Sequence, residues 1–171
     1  IRLGLSVVSM PLWHPIRLAE DLAMLDILSD GRLDVGVGKG YHHVGFRGLG
    51  VDIEERTEHF EEAIEVLVAA WTTDELSLSG PTWKNQQAVN VLPKPLQQPH
   101  PPIWMAVTSD ENVRRVAKTN FHVLGSGIST SRELGISYHE LYLQERKKAG
   151  FTDDRWSYAL NRHLRVLRPG E

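Results

Sequence analysis

Apolar runs of strand length alternate with amphipathic runs of helix length along this chain, and that alternation leaves few folds open. The clearest joint is Gly31-Arg32-Leu33-Asp34-Val35-Gly36-Val37-Gly38-Lys39-Gly40: a turn, an alternating apolar run, then three glycines spaced two apart with a lysine between the last two. Upstream, Ile1 to Val8 reads as a buried strand, which Pro11 ends because it cannot donate to a ladder. His14-Pro15 opens a helix, with Pro15 suited to the first helical position. Its apolar stripe is Leu18, Leu22 and Leu25 with Ala19 and Ala23, while Glu20, Asp21 and Asp26 fall elsewhere. Ser29-Asp30-Gly31 then turns the chain into a second strand, Arg32 to Val37, completing a parallel β-α-β crossover.

The same order repeats downstream. Tyr41 to Ile53 has no sustained period and reads as a long irregular loop, and Glu54 to Trp71 is a helix through Phe60, Ala63, Ile64, Leu67, Val68 and Trp71. Thr72 to Pro102 is a proline-bearing excursion with room for a surface hairpin. Ile103 to Val107 is a third strand, and Thr108-Ser109-Asp110-Glu111 matches a capping box that starts a helix through Val113, Val116 and Ala117. Phe121 to Leu124 is a fourth strand, ending at Gly125-Ser126-Gly127. Ser137-Tyr138-His139-Glu140 reads as another capping box, opening a helix with Leu141 inward that stops at Gly150, and Trp156 to Leu167 is a fifth strand. The expected class is α/β with parallel strands.

In such architectures ligands gather at the C-terminal ends of the strands. That rule selects Ser9-Met10, Gly38-Lys39-Gly40, Thr108-Ser109 and Ser126-Gly127 as walls of one site. Glycines let backbone N–H groups approach a ligand, Lys39 supplies a point charge and the helix start at Thr108-Ser109 adds N–H donors, a combination suited to phosphate; the plainer alternative is that the glycines only turn and Thr108 only caps. The loop is neither a dinucleotide fingerprint, since Gly36-x-Gly38-x-Gly40 lacks the two-residue gap, nor a P-loop, since no Gly-Lys-Ser/Thr occurs. Asp34 lies mid-strand, as a structural partner for a basic neighbour would. His42-His43 lacks the carboxylate company of a metal motif, so no metal site is assigned, while His14, Trp13, Tyr41 and Phe46 are candidates for packing or for lining a pocket.

Composition narrows the partners. A net charge of -3 gives no general drive toward nucleic acid or anionic membrane, and zero cysteines remove disulfides, thiolate metal sites and cysteine nucleophiles. No apolar run approaches the ~18 residues of a membrane span, so the expected setting is cytoplasmic, without nucleic-acid or membrane partners.

The run from Arg2-Leu3-Gly4 through Met10-Pro11-Leu12-Trp13-His14-Pro15, Leu18-Ala19-Glu20-Asp21, Leu25-Asp26 and Leu28-Ser29-Asp30-Gly31 to Gly40 resembles the bacterial luciferase-like flavin monooxygenase family. Phe46-Arg47-Gly48-Leu49-Gly50, Phe60-Glu61-Glu62-Ala63, Leu92-Pro93-Lys94-Pro95, Pro102-Ile103-Trp104 and Ala149-Gly150 extend the match over nearly the whole chain. The resemblance implies a (β/α)8 TIM barrel of which this chain holds strands three to seven and the helices between, a single domain over 1–171 lacking the first two strands and the last.

It further implies an enzyme in which reduced FMN and molecular oxygen oxidise a small organic substrate through a flavin hydroperoxide, with a flavin reductase as partner and a homo- or heterodimeric assembly. By position, Lys39 between Gly38 and Gly40 matches a basic residue that contacts the flavin phosphate, and Thr108, Ser109 and Asn112 match the strand end and helix start that also hold it. Ser6-Val7 matches a strand position where members often carry a non-proline cis peptide under the flavin ring, and Ser126-Gly127 would approach the ring edge. Where many members place Ser-Arg before the long helix, this chain has Arg56-Thr57, and the histidine some members use in catalysis near strand two lies outside the sequence, so no catalytic residue is assigned. Deazaflavin-dependent oxidoreductases share the pattern, as do non-catalytic flavin-binding or subunit-like barrels.

Overall fold

The computed structural model describes residues 1–125, 130–152 and 158–160. The chain folds as two compact units, Ile1–Ile103 and Trp104–Glu171.

In the first unit the opening apolar run is not one strand. It divides into β1 (Leu3–Gly4) and β2 (Val8–Ser9), which both pair in parallel with β3 (Leu33–Gly38). Leu3 lies opposite Leu33 and Val8 opposite Val37, so five steps on one side face four on the other and the extra residue interrupts the ladder. Gly36 makes room for the interruption, because a Cβ there would lie 1.9 Å from the Leu5 carbonyl oxygen.

Pro15 opens α1 (Pro15–Leu28), and Asp30 and Gly31 leave it with φ of 55° and 68°. Leu18, Ala19, Leu22 and Ala23 are buried as the period requires. Leu25, however, is 43% exposed and Asp26 is fully buried. The buried stripe runs in i+4 steps from Leu18 through Leu22 to Asp26, which leaves Leu25 at its margin. Asp26 tolerates burial because its carboxylate accepts from the Gln97 backbone N–H at 2.8 Å and side-chain Nε2 at 2.7 Å.

The stretch after β3 is more regular than its sequence suggests. It contains α2 (His43–Gly48), whose one buried residue is Phe46, and a 3-10 turn at Ile53–Glu55. Six residues are too few to display a helical period, which is why the pattern read as a loop. Next, α3 (Arg56–Thr72) buries Phe60, Ala63, Ile64, Leu67 and Trp71 and packs against α1, where the Trp71 indole donates to the Ala19 carbonyl at 3.0 Å.

The excursion from 73 to 102 holds the expected hairpin, with antiparallel bridges Leu76–Val89 and Ser79–Lys84. Lys94 fastens its far end by donating to the Ala70 and Thr73 carbonyls at the close of α3.

In the second unit β4 (Ile103–Val107) pairs in parallel with β5 (His122–Gly125), and β5 with β6 (Tyr158–Leu160). Helices α4 (Asp110–Val116) and α5 (Arg132–Lys148) pack together. The cap of α4 is Ser109, one residue later than the expected box, and α5 starts from a Ser131 cap whose hydroxyl accepts from the Leu134 N–H. Ser137 therefore lies inside a helix already under way, and the inward residues are Tyr138 and Tyr142, four apart, with Leu141 beside them only half-buried. Gly150, with φ of 84°, ends the helix as expected. The fifth strand is described only at Tyr158–Leu160, and the rest of that expected run lies outside the described residues. Among the described residues no helix is long and apolar enough to cross a membrane.

Candidate functional site

At the end of β3 the chain passes through Gly38, Lys39 and Gly40. Gly40 has φ of 74°, and a Cβ there would sit 3.0 Å from the Phe46 ring and 3.1 Å from the Ser9 hydroxyl. The left-handed backbone and the tight surroundings both call for glycine. Phe46 from α2 and Ser9 from β2 thus hold the loop from two sides, and Lys39 beside it donates from Nζ to the Thr57 hydroxyl at 3.3 Å. Arg56, the other basic group at the start of α3, turns back to the Ile53 carbonyl at 2.7 Å. The contact from Thr57 was not legible in the sequence, where Arg56-Thr57 read only as a departure from a Ser-Arg pattern.

The Ser6–Val7 peptide is cis, as the resemblance implies for that position, and both residues are exposed. Asp34, opposite Gly4 on β3, is the structural partner its position suggested: it accepts from Arg2 at 2.6 and 3.2 Å, and Arg2 also donates to Gln97 at 3.2 Å.

In the second unit the end of β4 runs into Thr108 and Ser109. The Ser109 hydroxyl accepts from the Asn112 N–H at 3.4 Å, so the Asn112 backbone is engaged in capping. Tyr138 on α5, buried to 4% exposure, donates its hydroxyl to the Thr108 carbonyl at 3.1 Å and fixes that peptide. Burial, and then the negative charge of Asp110, push the Tyr138 phenol upward, which keeps it a protonated donor. In the sequence Tyr138 reads only as the second residue of a capping box; the signal for its inward role is its i+4 partner Tyr142 on a charged helix. Ser126 and Gly127 lie outside the described residues.

Among the described residues no group of three or more His, Cys, Asp or Glu could hold a metal ion, and His42 and His43 are both exposed. Two carboxylates among the described residues are held below their ordinary range by structural contacts: Glu145 chiefly by a hydrogen bond from Lys148, and Glu62 by backbone N–H groups that outweigh its burial. Neither is poised to exchange protons near neutrality. What the end of β3 offers is a cation, a hydroxyl and glycine backbone, groups whose chemistry suits an anion.

Comparison with known proteins places nearly the whole chain in a family. The luciferase-like monooxygenase family model matches residues 1–167. The oxygenase component of a flavin-dependent trigonelline monooxygenase from Acinetobacter baylyi is 37% identical over 122 residues, which is 70% of this chain and 33% of that protein. An FMNH2-dependent dimethylsulfone monooxygenase from Pseudomonas putida is 35% identical over 100 residues, 57% of this chain and 27% of that one. Among solved structures, the monooxygenase RslO1 from Streptomyces bottropensis superposes with a TM-score of 0.86 at 28% identity, over 94% of this chain and 49% of that chain. The chain therefore spans about a quarter to a half of the length of these proteins. With its parallel strand-helix order, its glycine loop and a family match over almost every residue, the chain belongs to the luciferase-like monooxygenase family.

Proposed function

We propose that this chain is the central part of a barrel, its β1–β2 pair serving as strand three, β3 as strand four and β4, β5 and β6 as strands five to seven, and that it binds FMN for a monooxygenase reaction. The observation that carries the reading is the Lys39–Thr57 contact beside Gly40, which holds an ammonium group at the end of a parallel strand where the backbone permits close approach. The residues of the first unit fit a phosphate, Lys39 supplying charge and Gly38 and Gly40 supplying approach; in the second unit Thr108, Ser109 and Asn112 are proposed cofactor contacts, at a strand end whose Thr108 carbonyl is held by Tyr138. Ser6, Val7, Ser126 and Gly127 are proposed to face the flavin ring.

When bound, reduced FMN supplies the reaction with molecular oxygen, and the protein orients the ring and the organic substrate and keeps water out. A flavin reductase partner in a cytoplasmic setting follows from the same reading, supported by the two-component wording of the trigonelline enzyme's name and the FMNH2 dependence in that of the dimethylsulfone enzyme.

The test is an absorbance titration of the purified chain with FMN, followed by rapid mixing of the reduced complex with oxygenated buffer. Binding followed by a transient spectrum distinct from oxidised and reduced flavin supports a monooxygenase. Binding with no transient points to a non-catalytic flavin-binding barrel, and indifference to FMN with uptake of a deazaflavin moves the assignment to that cofactor class.

A further inference from the structure

The hairpin in the excursion carries a contradiction. Its base is well anchored: Leu76 and Leu78 are buried, and Asn85 ties it internally by accepting from the Leu78 N–H at 2.8 Å and donating to the Leu76 carbonyl at 2.9 Å. Its tip, closed by the Ser79–Lys84 bridge, rests on the first turns of α3. There the Glu62 carboxylate enters the turn and accepts the N–H groups of Thr82 at 3.0 Å and Trp83 at 2.8 Å. Gly80 leaves room for it, since a Cβ at that position would fall 1.9 Å from the nearer carboxylate oxygen.

These two bonds seat Trp83 against His14, edge to face at 4.9 Å between ring centroids, and against His59 at 6.3 Å. In that seat the Trp83 Nε1 and the His59 Nδ1 are both buried and neither has a hydrogen-bond partner. His59 uses its other nitrogen toward Glu55, at 3.4 Å. An indole N–H can only donate, so burying it unpaired costs the hydration it had when exposed, and the imidazole nitrogen adds a second such cost. The closed tip is therefore held by one pair of forces and opposed by another, on a helix start whose neighbouring side chain, Thr57, meets Lys39.

We propose that the hairpin tip, residues 79–84, is a strap that opens and closes over the start of α3, hinged on the buried Leu76 and Leu78, latched by Glu62 and driven open by the unpaired nitrogens of Trp83 and His59. Opening hydrates both nitrogens, uncovers His59, and leaves the α1–α3 core undisturbed. The device is independent of which flavin, or whether any flavin, is bound.

Native-state hydrogen exchange on the whole chain tests it, read at the Thr82 and Trp83 amides and at Leu67 in the core of α3. The expected result is that Thr82 and Trp83 exchange far faster than Leu67. Glu62→Gln, which keeps one acceptor of two, should speed exchange at those amides roughly tenfold and leave Leu67 unchanged. Trp83→Phe removes the unpaired donor while keeping a ring against His14, and should slow their exchange severalfold. The Phe variant separates this proposal from ordinary packing: if a trapped water or simple contact holds the tip, removing the indole nitrogen loosens it. Faster exchange in Trp83→Phe, or exchange at Thr82 and Trp83 no faster than at Leu67, overturns the proposal. Should Glu62→Gln fail to fold, the Phe variant decides alone.

Discussion

The Lys39 ammonium and the Thr57 hydroxyl, 18 positions apart in sequence, meet at 3.3 Å and join the loop after β3 to the first turn of α3. Thr57 follows Arg56, whose guanidinium is turned back to the Ile53 carbonyl at 2.7 Å, so at this joint a hydroxyl meets the lysine. Lys39→Ala should weaken FMN about ten- to a hundredfold, the worth of a charge-assisted hydrogen bond, and leave riboflavin nearly unaffected. Parallel fluorescence titrations with the two flavins check it, and equal losses would refute phosphate binding by Lys39.

Gly36 and Gly48 form a matched pair. A Cβ at Gly36 meets the Leu5 carbonyl oxygen at 1.9 Å, whereas one at Gly48 meets nothing within 4 Å. Gly36→Ala should cost about 2 kcal/mol, since main chain must shift to admit it, and Gly48→Ala at the end of α2 should be neutral or stabilising by up to about 1 kcal/mol. Urea denaturation of both variants measures the contrast.

Tyr138 and Tyr142 make the same kind of bond at opposite ends of the second unit's strands: to the carbonyl of Thr108 after β4, at 3.1 Å, and to that of Phe121 before β5, at 3.3 Å. Replacing either by Phe should cost about 1 kcal/mol in thermal stability. Only Tyr138→Phe should also reduce the preference for FMN over riboflavin, because only its bond reaches the proposed phosphate-binding end.

Burial raises the pKa of Glu62, but the N–H groups of Trp83 and Thr82, with the nearby charge of His59, outweigh it and bring the carboxyl below its ordinary 4.5. A carboxyl depressed in the folded state stabilises it above the unfolded pKa and loses that contribution as pH falls through the folded one. The Tm gap between wild type and Glu62→Gln should therefore be full above about pH 6 and close progressively below about pH 4.5. A gap that stays constant across an acid series would show that the carboxylate charge is not what latches the hairpin.

The strand-helix order was legible because the longer elements carry their own period, and Pro15, Gly31 and Gly150 mark boundaries by backbone chemistry alone. The misplacements have a common cause. Asp26 is buried because Gln97, 71 residues away, brings two donors to it, and β1 breaks from β2 because of how its ladder aligns with β3. A local pattern contains neither fact. The glycine loop and Lys39 could be found as a candidate site, but Thr57, Tyr138 and Glu62 act through contacts that no spacing rule announces.

The Asp26–Gln97 pair also bears on how such a chain matures. During synthesis α1, β3 and α3 leave the ribosome before residue 97 does, and until then the Asp26 carboxylate has neither of the donors that later meet both its oxygens. The first strand-helix layers are thus assembled around an unmet charge, and the proline-bearing stretch that reads as a surface detour supplies the last pieces that let them close.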